Sequence, residues 1–165
     1  MTSILKTWRQ CWKGSPRYAV LHPIDKSAPS KKFLRLVKGL DQRQASLLSQ
    51  LRTGHIGLNR HLFQIRKVES PVCMHCRGIT VETVKHVLLD CPFYRRERHV
   101  LQLKLRRNAS SIPFLLSSPD AVKHLLTFIH STGRLKEYAL PDDRPMTNAL
   151  RTAEIIAGAK ELGLI

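Results

Sequence analysis

Three cysteines and one histidine lie close together in the sequence, with the spacing Cys73-x2-Cys76-x9-His86-x4-Cys91. Thiolate sulfur and imidazole nitrogen are the ligands of tetrahedral zinc sites. A C-x-x-C turn can direct two thiolates at one ion, and Gly78 supplies the backbone freedom for the bend. The second pair would come from the end of a helix. Four protein ligands leave no coordination position for water, so the spacing predicts structural rather than catalytic zinc.

Two other interpretations of these cysteines stay open. A redox C-x-x-C usually begins a helix in a βαβ setting, and the flanking sequence lacks that alternation. Three cysteines near a helical histidine could also be ordinary buried residues. We recognise no secretory signal in the first residues, so we expect an intracellular location, nuclear or cytoplasmic. In that reducing environment metal binding is more common than a disulfide.

The elements that must position these ligands show helical periodicity. The pattern predicts a mostly α fold: a small irregular helical domain organised around one zinc knuckle-like site. Asp41 is a plausible N-cap and Gly54 a plausible stop for a helix whose apolar stripe contains Leu47, Leu48 and Leu51. This helix would lie just upstream of the cysteines and supply part of the core.

The ligand-bearing stretch and the segment after it also follow a helical pattern. Residues 80–91 are predicted as a helix, and Pro92 suits the first turn of another. The second helix is predicted to bury Phe93, Val100 and Leu103 and to expose its arginines. That orientation would place a basic surface next to the predicted zinc site.

The charge of the chain is strongly positive and unevenly distributed. The 28 Lys and Arg residues outnumber 12 Asp and Glu, for a net charge of +16. Residues 1–72 contain 14 basic and 3 acidic residues, residues 73–107 contain 8 and 3, and residues 108–165 contain 6 of each. Such a surface attracts polyanions, of which nucleic acid is the commonest. A basic surface without a specific partner is the alternative.

Composition divides the chain into three regions. Residues 1–30 form an N-terminal Trp-bearing segment and basic arm, residues 31–107 a basic helical region with the CCHC-type zinc site, and residues 108–165 a neutral C-terminal helical extension. The extension contains two predicted helices, over residues 118–133 and 145–165, and could bind a protein partner. No apolar run is long enough to span a bilayer, so we expect no membrane association.

Three blocks of sequence carry a resemblance to a known family. They are LRTGHIGLN at 51–59, the C-x-x-C at 73–76, and ETVKHVLLDCP at 82–92, which contains the pattern E-T-x-x-H-x(4)-C-P. In this order they resemble the C-terminal zinc-binding region of fungal LINE-type (non-LTR) retrotransposon polyproteins, which follows reverse transcriptase and ribonuclease H domains. The resemblance covers residues 8–107 and does not extend into residues 108–165.

The resemblance implies a non-catalytic, zinc-stabilised nucleic-acid-binding module whose ligands are Cys73, Cys76, His86 and Cys91. In the family this module is thought to hold element RNA or target DNA near the polymerase. Polymerase and ribonuclease H chemistry needs clustered carboxylates, whereas the acidic residues here are separated and expected mostly at caps or facing solvent. We therefore expect no enzyme. A protein-interaction or scaffold domain, or a retrotransposon remnant without selected function, are the alternatives.

Basic residues that flank the predicted zinc site are the candidate phosphate contacts. They are Arg52, Arg60, Arg66, Lys67, Arg77, Arg95, Arg96 and Arg98. Unpaired strands are the preferred partner, RNA or single-stranded DNA, because zinc knuckles and basic helices read them well. His55, Tyr94 and Phe93 could stack on bases, although Phe93 fits the apolar face of its helix better.

Overall fold

The computed structural model describes residues 3–27 and 31–135, which form eight α-helices joined by loops and tight turns. The helices are α1 Ser3–Gly14, α2 Pro16–Leu21, α3 Lys32–Val37, α4 Gln42–Thr53, α5 Asn59–Gln64, α6 Arg95–Leu105, α7 Ile112–Ser117 and α8 Pro119–Thr132. The predicted mostly α class is confirmed. None of the helices in these ranges has the length and apolar character that a membrane crossing requires.

The three clustered cysteines, Cys73, Cys76 and Cys91, lie in or next to short turns rather than in long helices. Met74–Cys76 and Pro92–Tyr94 are single 3-10 turns, and His86–Asp90 is a π-helical turn. The predicted helix over residues 80–91 is therefore only partly helical. Its first residues are extended because Val81 pairs with Val72 in an isolated antiparallel bridge.

Helix α4 forms as its sequence predicts. The Asp41 carboxylate accepts a hydrogen bond from the Gln44 backbone N–H at 2.8 Å, and the Gln44 side chain accepts one from the Asp41 N–H at 3.3 Å. This reciprocal capping box satisfies two N–H groups that have no partner within the helix. Gly54 ends the helix in the left-handed conformation, with φ 74°. Leu48 and Leu51 are buried, as expected.

One hydrophobic core connects the basic and the neutral regions of the sequence. Leu115 of α7 and Leu125 of α8 lie in the same buried cluster as Leu48 of α4 and Leu88 of the π turn. The change of composition at residue 108 therefore does not coincide with a gap in the core. Ser118 and Gly133 flank α8, at the two ends of the range predicted for this helix. The predicted helix over residues 145–165 lies outside the described residues.

The buried face of α6 is not the one that the sequence predicted. Tyr94, just before the helix, and Arg98 and Leu101 within it are buried against the rest of the chain. The predicted stripe is exposed instead: Phe93 by 59%, Val100 by 55% and Leu103 by 64%. Both sets of residues have helical spacing, and packing of α6 against α8 selects between them.

Candidate metal centre

The four predicted ligands converge on one point. Their donor atoms all lie within 4.8 Å of one another. Cys91 Sγ is 3.9 Å from Cys73 Sγ and 3.8 Å from Cys76 Sγ, and Cys76 Sγ is 3.4 Å from His86 Nε2. Tetrahedral zinc with ordinary bond lengths places its sulfurs about 3.8 Å apart and sulfur and nitrogen about 3.6 Å apart. The cluster therefore has the dimensions of a metal site, and its sulfurs are far beyond the ~2.05 Å of a disulfide bond.

A tight turn presents the first pair of sulfurs. The Cys73 N–H donates to the Thr80 carbonyl at 2.8 Å, and the Cys76 N–H donates to the Cys73 carbonyl at 3.3 Å. Arg77 and Gly78 both adopt positive φ, 51° and 72°. For Gly78 this conformation carries no steric cost, which agrees with its predicted role, whereas Arg77 adopts it as a non-glycine residue.

A π turn presents the second pair. In a regular α-helix a residue five positions on lies about 140° around the axis, on a different face. Here the Cys91 N–H donates to the His86 carbonyl at 2.7 Å, the i→i+5 bond of a π turn, which brings the two ligands together. The Thr83 hydroxyl accepts a hydrogen bond from the His86 N–H at 3.0 Å. Thr83 therefore stabilises the beginning of the turn.

The electrostatics of the cluster suit a divalent cation. Burial lowers the pKa of His86, which favours the neutral imidazole that a metal needs. Burial raises the pKa of Cys76 to about 12, and it also raises the pKa of Cys73. These two neighbouring thiols therefore resist ionisation on their own. A metal ion would supply the missing positive charge and hold them as thiolates, so the donor set fits a metal.

Arg98 supports this centre from inside the protein. The side chain is buried, its Nε donates to the Leu88 carbonyl at 2.9 Å, and its Nη2 donates to the carbonyls of Val87 at 3.3 Å and Cys91 at 2.7 Å. The prediction of Arg98 as a phosphate contact is therefore wrong, because its guanidinium is used within the fold. Its spacing from Tyr94 and Leu101 is the sequence signal that could have placed it on the buried face.

Arg52 is the second correction among the predicted phosphate contacts. It is also buried, and its Nη1 donates to the Leu116 carbonyl at 2.8 Å. Its Nη2 pairs with Asp25 at 3.5 Å, and the guanidinium lies over the Phe33 ring at 4.7 Å. Arg52 therefore joins α4 to α7 and to the N-terminal arm, and it does not face a ligand.

Glu82 has a structural role that the sequence reasoning missed. The residue is fully buried, and its carboxylate accepts hydrogen bonds from Arg134 Nε at 2.7 Å, Arg134 Nη2 at 2.6 Å and the Asn59 N–H at 2.7 Å. Asn59 in turn donates to the Val72 carbonyl at 2.7 Å. The network joins the segments on both sides of the C-x-x-C turn to the end of α8. The glutamate of the E-T-x-x-H pattern was the available signal.

The other predicted nucleic-acid contacts are exposed. Arg60 lies on α5, Arg66 and Lys67 follow it, Arg77 follows the C-x-x-C turn, and Arg95 and Arg96 begin α6. Of the predicted stacking residues, Tyr94 is buried while His55 and Phe93 are exposed. The preference for Phe93 as a core residue is therefore wrong, because the opposite face of α6 is buried.

A comparison of the whole sequence finds one informative similarity. The chain is 30% identical over 134 residues to "Retrovirus-related Pol polyprotein from type-1 retrotransposable element R1" of Bradysia coprophila. The alignment covers 78% of this chain but only 12% of that relative. No protein-family model matches the sequence, and no solved structure matches it. The similarity supports a retrotransposon origin, and the structure adds a group of residues that could hold a metal.

Proposed function

We propose that this chain is a non-catalytic, zinc-stabilised nucleic-acid-binding module derived from a retrotransposon reverse transcriptase tail. The proposal identifies it with the C-terminal zinc-binding region of LINE-type polyproteins, with fungal elements as the group that its motifs resemble. The observation that carries the proposal is the convergence of Cys73, Cys76, His86 and Cys91 within 4.8 Å. The exposed basic residues on the adjoining segments add to it.

Zinc is the metal that best suits this donor set. Three thiolates and one imidazole are soft or borderline ligands, which favours zinc over magnesium or calcium. The four donors would complete a tetrahedron, so the ion would be structural. Its ligands come from two turns that are far too short to fold alone, and binding energy would therefore contribute directly to folding.

Nucleic acid is the proposed partner because six of the predicted contacts remain exposed. They are Arg60, Arg66, Lys67, Arg77, Arg95 and Arg96. Contacts of this kind are made to phosphates, so binding should have little sequence preference and should weaken steeply with salt. RNA or single-stranded DNA is the preferred form, as unpaired strands leave their bases accessible.

The proposal is non-catalytic because three carboxylates in different parts of the chain each have their own partner within the fold. Glu82 is bound by Arg134, Asp25 pairs with Arg52, and Asp41 caps α4. Two-metal hydrolysis or polymerisation needs carboxylates that share a site. The metal group formed by the cysteines and His86 would leave no position open for substrate.

Salt-dependent binding of the purified chain tests this function. Metal analysis should find one zinc per chain. A labelled single strand should bind, and the slope of log binding constant against log salt concentration should report how many phosphates the chain contacts. The variant R77A/R95A/R96A should reduce that slope by about 2 and weaken binding more than tenfold. The matched control K38A/R43A/K123A removes the same charge from other exposed positions. No binding at about 50 mM salt, or equal losses in both variants, would refute the proposal.

A second candidate function, protein interaction, is favoured by α1. This helix buries none of its residues, and Ile4 is 79% exposed, Leu5 45% and Trp8 44%. Contiguous exposed apolar residues of this kind mark contact surfaces. The described part of the C-terminal extension, by contrast, contributes to the core. The variant I4E/W8E should abolish self-association or partner capture, measured by light scattering, while it leaves nucleic-acid affinity unchanged.

A further inference from the structure

Two aromatic rings stack on each other beside the candidate metal ligands. His75 lies in the C-x-x-C turn, and Phe93 lies in the 3-10 turn that follows Cys91. Their ring centroids are 3.7 Å apart and their planes differ by only 5°. The stack therefore joins the C-x-x-C turn to the 3-10 turn that directly follows the ligand Cys91, and a bound metal would hold both rings in place.

Tyr94 supports the stack from the side of the core. It is 1% exposed and contacts both rings edge-on, with centroids 5.6 Å from His75 and 5.2 Å from Phe93. Phe93 nevertheless remains 59% exposed, although His75 covers one of its faces. A flat aromatic surface therefore faces solvent. Because Phe93 is largely exposed, its burial contributes little to the stability of the fold, whereas Tyr94 next to it is almost fully buried.

Cations adjoin the stack in the chain on both sides. Arg77 immediately follows the turn of His75, and Arg95 and Arg96 follow the turn of Phe93; all three are exposed. The nearby carboxylate of Asp90 is paired with Lys85 at 3.9 Å. A flat aromatic surface with exposed arginines next to it in the chain suits the two parts of a nucleotide, its base and its phosphate.

We propose that the His75–Phe93 stack is a platform on which an unpaired base of a single-stranded nucleic acid lies, with the adjoining phosphates bound by Arg77, Arg95 and Arg96. The inference rests on the proposed function and narrows its ligand to single strands. Bases in a duplex are stacked on their neighbours and have no free face for the platform. The three arginines would attract a protein partner only if its surface were acidic, whereas every nucleic acid carries phosphates. The charge therefore favours nucleic acid as the ligand.

The test separates the contribution of the bases to binding affinity from the contribution of the phosphates. A labelled single-stranded oligothymidylate of about 12 nucleotides is compared with an abasic strand of the same length and with a duplex. The wild-type chain should bind the oligothymidylate about tenfold more tightly than the abasic strand. F93A should lose that difference, while its affinity for the abasic strand and the duplex changes less than about twofold, because the phosphate contacts remain.

Three further variants test whether the aromatic ring of Phe93 is responsible for the preference for the oligothymidylate over the abasic strand. F93L keeps an apolar side chain without an aromatic face and should behave like F93A, whereas F93W should retain wild-type affinity. F63A is the matched control, because Phe63 of α5 is also an exposed phenylalanine, 46% exposed. Equal zinc content in all variants confirms that the fold is kept. If one of them loses zinc, the comparison of strands on the wild-type chain still decides the question.

The outcomes distinguish the two proposals. If the wild-type chain binds none of the three nucleic acids at low salt, the proposed function fails and the platform with it. If it binds the single strand and the abasic strand equally, or if F93A and F93L bind like wild type, the platform is refuted while the proposed function stands. Loss of a protein contact in F93A, with unchanged strand affinity, would also refute it.

Discussion

The Arg98 guanidinium donates a 2.7 Å hydrogen bond from Nη2 to the carbonyl of Cys91. The same side chain binds the Leu88 and Val87 carbonyls, so it satisfies three acceptors where the π turn ends. Carbonyls at the end of a helical turn have no partner within it and must find one elsewhere. Because Cys91 is a ligand, this single side chain of α6 positions the backbone of the candidate metal centre.

Removal of the Arg98 side chain should weaken both the fold and the metal site. R98A leaves buried carbonyls unsatisfied, and we expect it to lower the free energy of unfolding by about 3 kcal/mol. It should also reduce metal affinity about 10- to 100-fold, the usual effect of losing a group that positions a ligand. Denaturant titration and competition with a zinc chelator measure the two effects. The exposed neighbour Arg96 is the control, and an equal effect of R96A would contradict this role.

The buried pair of Glu82 and Arg134 should be costly to break from one side. E82Q keeps the shape of the side chain but removes its charge, and we expect a loss of about 3 kcal/mol, because Arg134 is left without its counter-charge. R134M should have a comparable effect. The double variant should lose less than the sum of the single losses, as double-mutant cycles show for residues in contact. Additive losses would argue against direct coupling, and E69Q, at an exposed carboxylate, should be close to neutral.

Metal removal should destabilise the chain as strongly as loss of a ligand does. We expect a chelator, or the variant C76S, to lower the melting temperature by at least about 10 °C, because binding to the folded state alone stabilises it. Circular dichroism follows the melting, and metal analysis follows the ion. The variant C11S removes an exposed cysteine outside the cluster and should change neither quantity. Unchanged melting after complete metal removal would contradict a structural role.

Acid should destabilise the fold through His86. Burial holds its folded-state pKa below the ordinary value of 6.5, so the unfolded state binds more protons. Stability is therefore unaffected well above 6.5 and falls as the pH decreases through that value. Proton competition for the metal ligands acts in the same direction. Melting temperatures measured between about pH 8 and pH 5 should fall below pH 6.5 and be accompanied by metal release. The variant H75Q should show the same dependence of melting temperature on pH.

Features that depend on neighbouring residues were predictable from the sequence. The ligand spacing identified four side chains whose donor atoms the structure brings within 4.8 Å. The capping box of Asp41 and the left-handed Gly54 bound α4 as expected. In each case the geometry is determined over one or two helical turns, where local hydrogen bonds and backbone preferences dominate.

The sequence by itself therefore determined the candidate ligands, the helical class and the ends of α4 and α8. Only the tertiary structure decided which face of α6 is buried, that Arg52 and Arg98 serve the fold, and that Glu82 pairs with Arg134. These outcomes depend on segments far apart in the chain, such as Glu82 and Arg134, which are 52 positions apart. Two helical faces of similar periodicity differ in free energy only once a partner surface is present, and burial against α8 supplies that difference.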